Sequence, residues 1–435
     1  MSGALLEQLP TLSKYDPGET GEGSLDPLGL GAVADRIADR LVPGVRARMS
    51  QPRFVTLSAV GAHACQSLAG ITSTDGKTTF DLAFEWLVVE SLVQHPVPNR
   101  LASVPGSQKA QRARAAGERL SAANYLAGPR VFGFTGVYRP FSVDSRVLDR
   151  DGLPGENADR LLKAWEDDQG LDGFHLGGSG SPGGKLRREI EKAVRDSLTN
   201  GRCTAPLNGA LIASIASHVA PLEAGGKERG EVRRLIMSEQ HPVRHELSQI
   251  MTAHMPHPDP WPTQRELATA LLDRATGAVT RAALRSAIAY EACTTAIEYA
   301  FRRLLQHGAS LQGGTFSIDQ GAATPGIAEL AGRVVDLVRH AVEAAAELDE
   351  GLALDVELVL GEFDRAFTTP EFVNALISRH QDVQTAKGKR MWIDPIKYDW
   401  FVRTPYRRDW GQLDDRIWTH PMRIETLLGF LVRSA

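Results

Sequence analysis

Residues 287–308 read AIAYEACTTAIEYAFRRLLQHG, and this stretch settles the fold class. It sits within a longer run, residues 279–307, in which Leu284, Ile288, Ala292, Ala296, Tyr299 and Leu304 recur at near-helical spacing. A strand alternates every second residue and seldom exceeds about 10 residues, so a run of this length and period is a helix. Downstream, residues 263–275, 325–348 and 352–367 carry the same periodicity. Upstream, a basic helix is expected near 185–199, an apolar one near 207–221, and another opened by Pro242. The second half is therefore helical.

The beginning of the chain is helical too. Asp26-Pro27 offers an N-cap followed by a first-turn proline, and Leu28, Leu30, Val33, Ile37 and Leu41 follow at helical spacing until Pro43-Gly44. Two further helices are predicted over 53–69 and 79–94. Residues 1–24, rich in Gly, Pro, Glu and Ser, are expected to form a flexible tail. Between about 105 and 170 the order is a basic helix, a Gly128-Pro129 turn, the stretch FGFTGVYRPFSVDSRVLDRDG and a further helix, which resembles a winged helix. The DRDG turn at 149–152, flanked by Val143, Val147 and Leu153, is its expected wing. A glycine-rich stretch, 177–184, reads as a linker. The reading is mainly α with a small β component. The expected divisions are an N-terminal domain over 25–176, a helical domain over 185–325 and a C-terminal region over 326–435.

Composition narrows the functional classes. The chain has 435 residues, and 49 basic against 53 acidic side chains leave a net charge of −4, so any polyanion binding needs a local patch. Mean hydropathy is −0.21, and no apolar run reaches the roughly 18 residues of a membrane span. Cys65, Cys203 and Cys293 are far apart and lack CxxC spacing, which points to buried thiols in a cytoplasmic protein.

No catalytic constellation stands out. SGSPGGKL at 179–186 has serine where a phosphate loop needs its first glycine, and Leu186 where it needs a hydroxyl. His241, His245, His254 and His257 cluster without an HExxH pattern, and Asp75-Gly76-Lys77 reads as a turn. No metal or other cofactor is expected. Charge is more informative. Lys109, Arg112, Arg114 and Arg119 on one helix, Arg139 and Arg146 near the expected wing, and Lys185, Arg187 and Arg188 on another helix are candidate nucleic-acid contacts. The compensating acids gather between 343 and 364. Near the C-terminus, Trp392, Trp400, Arg407, Arg408 and Trp410 form a candidate partner-binding surface, since Trp and Arg anchor interfaces.

The stretch EGSLDPLGLGAVADRIADRLVPGVRARMSQPRFVTLSAV, with Leu41, Pro43 and Gly44 as a Leu-x-Pro-Gly motif, resembles a family of uncharacterised bacterial, actinobacterial-like helical proteins. Gly128-Pro129 with the 138–165 region, and the 287–308 helix, are similar to its middle and second half. The resemblance implies association with mobile or anti-phage defence islands and partners such as a helicase, ATPase or nuclease subunit. The resulting expectation is a non-enzymatic DNA-binding or adaptor subunit of a bacterial defence or DNA-processing complex. A protein-interaction scaffold, or an enzyme whose site is dispersed through the sequence, is the alternative.

Overall fold

The computed structural model describes residues 26–95, 101, 103–128, 132–254, 263–407 and 413–435. Among these the chain is mainly helical, with 17 α-helices and one small sheet of three strands. Among the described residues no helix is long and apolar enough to cross a membrane. Two units emerge, and each takes residues from distant parts of the chain: one from 26–41 and 263–422, the other from 42–254 and 423–435. The divisions expected at 176 and 325 thus fall inside units. Residues 1–24 lie outside the described residues.

Helix α1 (Gly31–Leu41) opens the first unit. The chain then builds the second from α2 (Arg53–Cys65), α3 (Phe80–Gln94), α4 (Ser107–Ala115), α5 (Phe134–Asp144), α6 (Ala158–Gln169), α7 (Pro182–Asn200), α8 (Ala210–His218), α9 (Gly226–Ile236) and α10 (Pro242–His254). It returns to the first with α11 (Gln264–Arg274), α12 (Ala278–Ser310), α13 (Ile318–Ala322), α14 (Ile327–Ala346), α15 (Glu350–Leu360) and α16 (Thr369–Ala386). Strands β1 (Thr315–Phe316), β2 (Ile393–Ile396) and β3 (Asp399–Val402) belong to that unit, and α17 (Ile424–Arg433) ends the second.

The first unit is organised around α12. Of its 33 residues 20 are buried, including Ala283, Ala287, Tyr290, Ile297, Phe301 and Leu305. An α-helix covered nearly all round is a central helix, and α1, α11 and α14 pack on it. The stripe legible in the sequence is one edge of this surface, since Ile288, Ala292 and Tyr299 are only half-buried. The sheet is antiparallel in the order β1-β3-β2, with Thr315 opposite Phe401 and Ile393 opposite Val402. The late acids find partners in the same unit: Asp349 on Arg40, Glu347 on Arg285, Asp364 on Arg339 and Asp355 on Arg36.

In the second unit the winged-helix expectation meets a different local structure. Phe134, Val137, Tyr138 and Phe141 are buried along one face of α5, a helical spacing in residue types that also favour strands. The DRDG stretch is a turn, as expected: the Asp149 carboxylate accepts the N–H of Asp151 and of Leu153 at 2.9 and 2.8 Å. Its flanks, however, make a single β-bridge, Leu148 with Pro154, in place of a two-stranded wing. The glycine-rich 177–184 segment is no free linker either. Ser181 caps α7, and Gly183 is buried so closely that a Cβ would stand 1.9 Å from the Leu171 carbonyl oxygen. In the same unit, Phe430 of α17 packs on Tyr138 and Phe141. All three cysteines are buried free thiols.

Candidate metal centre

Glu291 and Glu298 lie seven positions apart on α12, about two turns, so they share a face. Both are 0% exposed. An ionised carboxylate taken out of water is costly unless opposite charge and hydrogen bonds replace the lost hydration. Glu291 is fully supplied. Its Oε1 accepts the Nδ1–H of His420 at 2.8 Å and its Oε2 accepts the His420 backbone N–H at 3.0 Å. Glu298 is only half supplied: Oε2 meets Arg302 at 2.8 Å, and the buried Oε1 has no hydrogen-bond partner among the described residues. His420, 8% exposed, likewise leaves its Nε2 without one. Donor atoms of Glu298, His420 and Asp26 all lie within 4.8 Å of one another.

The surrounding backbone holds these groups in place. Asp26 Oδ1 accepts the Leu30 N–H at 2.8 Å just ahead of α1, while Oδ2 faces the Lys387 ammonium at 3.2 Å. From α16, His380 donates to the Pro27 carbonyl and Arg379 to the Leu28 carbonyl, which anchors the residues after Asp26. On the other side, the Thr419 N–H donates to Thr295 Oγ1 at 3.3 Å, so 419–420 docks on α12 through Thr295 and Glu291. Gly31 sits close by: a Cβ there would meet Asp26 Oδ2 at 3.3 Å and His420 Cδ2 at 3.7 Å.

Each carboxylate has one basic neighbour: Lys387 beside Asp26, Arg302 beside Glu298 and His420 beside Glu291. Burial pushes the Glu298 carboxyl above its ordinary pKa, with Arg302 pulling the other way. Burial disfavours a charged His420, yet the Glu291 carboxylate outweighs it and raises the imidazole. A carboxylate bonded to one ring nitrogen is also the arrangement that presents the other nitrogen of a metal-bound histidine as a lone pair. A cleft of about 200 Å³ is lined by Thr295, Tyr299, Arg302, Trp418 and Thr419 among others, neighbours of Glu298 and His420, while Asp26, Glu298 and His420 themselves do not line it.

The residues singled out from sequence lie elsewhere. Arg119 is spent on Glu90 at 2.6 Å, Arg146 on Glu156 at 2.8 Å, and Arg139 lies 3.9 Å from Asp81 and donates to the Arg150 carbonyl. Arg114 donates to the Val93 carbonyl, Arg187 to those of Phe174 and His175, and Arg188 to that of Ser179. Lys109, Arg112 and Lys185 remain exposed, with no acidic partner among the described residues. The cations are thus dispersed over several elements, and three of the nine, Arg119, Arg139 and Arg146, are paired with acids. Of the expected partner surface, Trp392 is buried and stacked on Tyr406 at 4.6 Å. Arg407 lies over the Phe401 ring and donates to the carbonyls of Val402 and Gly313. Trp400 is half-buried on β3, and Arg408 and Trp410 lie outside the described residues. The His241 group does not converge: His241 pairs with Asp144, His245 meets the Met237 carbonyl, His254 is exposed at the end of α10, and His257 is not described.

Sequence reading missed Asp26, Glu298 and His420. Two glutamates at a seven-residue interval, the only acids of α12, were the available signal; Asp26 and His420 join them only through the fold. Comparison of the chain with family models, curated proteins and solved structures finds no match.

Proposed function

We propose that the unit formed by 26–41 and 263–422 binds a divalent cation on Asp26, Glu298 and His420, and presents it to an oxygen-bearing ligand in the adjoining cleft. The observation that carries this reading is the pair of buried donor atoms, Glu298 Oε1 and His420 Nε2, without a partner among the described residues, in a cluster where donor atoms of Glu298, His420 and Asp26 lie within 4.8 Å of one another. Two carboxylates and one imidazole suit manganese, iron or zinc, ions that polarise a bound oxygen or activate water. Glu291 positions His420 and has no direct contact with the ion. The competing occupant is a proton on His420 Nε2.

Titration of the full chain with Mn²⁺, counting free ion by electron paramagnetic resonance, tests it. Wild type should bind an equivalent that Glu298→Gln and His420→Gln each abolish, while Glu291→Gln weakens it roughly 10- to 100-fold, as outer-sphere partners of metal ligands do. Absence of that equivalent in wild type, or its survival in both ligand variants, overturns the reading.

A second reading, contact with a nucleic-acid backbone by a DNA-binding subunit of a defence complex, is favoured by the open cations Lys109, Arg112 and Lys185. It requires duplex binding whose salt dependence flattens in Lys109→Glu/Arg112→Glu. An unaltered salt slope would remove it.

A further inference from the structure

A second convergence of metal-ligating groups lies in the other unit, assembled from three separate segments. His63 comes from the last turn of α2, Asp159 from the first turn of α6, and His175 from the loop between α6 and α7. Donor atoms of the three lie within 4.8 Å of one another. The two imidazoles are nearly parallel, 22° apart with centroids at 5.4 Å.

Two features separate this cluster from a surface ion pair. His63 Nε2 lies 2.8 Å from the His175 carbonyl oxygen, which can only accept, so the proton belongs on Nε2 and the lone pair on Nδ1. That Nδ1 is buried and has no hydrogen-bond partner among the described residues. A backbone carbonyl holding one ring nitrogen while the other is left as a bare donor is how proteins orient metal-binding histidines. The second feature is the scaffolding of His175. Glu166, itself buried, accepts the backbone N–H groups of Gly173 and His175 at 3.1 and 2.8 Å, which fixes the loop carrying the second imidazole. His175 Nε2 then faces Asp159 Oδ1 at 3.1 Å. Arg187 is the local opposing charge, and its Nη1 is engaged by the carbonyls of Phe174 and His175.

We infer that His63, Asp159 and His175 form a second, imidazole-rich metal site that takes a borderline transition ion of the zinc class. Two imidazoles and one carboxylate favour Zn²⁺ over the harder ions that a two-carboxylate set accepts. The His175–Asp159 contact exchanges its proton for the metal, and the exposed side of Asp159, 65% accessible, is the route by which the ion enters.

The test uses full-length Glu298→Gln/His420→Gln protein, so that the cluster near α12 does not contribute, with Zn²⁺ competed against a chromophoric chelator. This background should retain one Zn²⁺ equivalent. His63→Gln and His175→Gln should each weaken it more than about 100-fold, beyond what loss of an outer-sphere group causes. Asp159 is exposed, so Asp159→Asn should fold normally and still weaken binding at least about 10-fold. No Zn²⁺ equivalent in the background protein, or unchanged affinity in Asp159→Asn together with either histidine variant, overturns the inference. Neither result touches the first site, whose own ligand variants decide it.

Discussion

Arg53 is the most informative single residue in the second unit. It and Glu228 are both 0% exposed, with Arg53 Nε 2.6 Å from Glu228 Oε1, and its remaining donors reach the carbonyls of His218 and Glu223. Removing one partner of such a pair strands the other charge, so Arg53→Met should destabilise the unit by about 3–5 kcal/mol in urea unfolding, with part recovered in Arg53→Met/Glu228→Gln. A loss under about 1 kcal/mol would show that Glu228 finds other support. Glu85 gives a pH prediction. It is fully buried and accepts from the Tyr125 hydroxyl and the Thr135 N–H, yet burial dominates and lifts its pKa from 4.5 to about 7. Between those values the folded chain keeps a proton that the unfolded chain has lost. Its stabilising contribution is complete below pH 4.5 and fades as pH rises through 7, on the order of 3 kcal/mol in all. His380, lowered to about 4 by burial, works in the opposite sense as pH falls, but it is common to both chains compared. Glu85→Gln should therefore gain on wild type between pH 5 and pH 7.5 in thermal melts, and parallel pH profiles would contradict the assignment.

At the scale of the element, the helices were largely legible. Residues 79–94 and 263–275 were expected as helices and are α3 and α11 within a residue or so at each end, because apolar period and terminal signals agree there. Asp26 does cap, but it caps a turn containing Gly29 at φ +70°, and α1 starts only at Gly31. The misreadings share one cause. In the 132–153 region strand-favouring residue types overshadowed a helical spacing, and in 177–184 glycines that permit close backbone approach resembled those of a linker. The Trp- and Arg-rich end was read as an open surface, whereas Trp392 and Arg407 serve packing and carbonyl capping. Burial by tertiary partners cannot be read from a local window.

For the whole molecule, the order of the chain hides both candidate sites. The first unit is completed by residues from 26–41 and 263–422, so Asp26 and α12 share one unit although the residues of the second unit separate them in sequence. Glu291 and Glu298 were visible as acids interrupting an apolar helix; their histidine and the third carboxylate were not. The same applies to His63 and His175, which lie in segments of the second unit separated in sequence by α3 to α6. Metal binding by either unit should also raise its unfolding temperature, since an ion that prefers the folded state adds about 2.7 kcal/mol at a concentration 100 times its dissociation constant.

The most direct test is a crystal of the full chain grown with Mn²⁺ and measured at a wavelength where manganese scatters anomalously. The account predicts a strong anomalous peak about 2.0–2.3 Å from a carboxylate oxygen of Glu298 and from His420 Nε2, with Asp26 completing the set. No peak there, with the His420 Nε2–H instead donating to Glu298 Oε1, would contradict it.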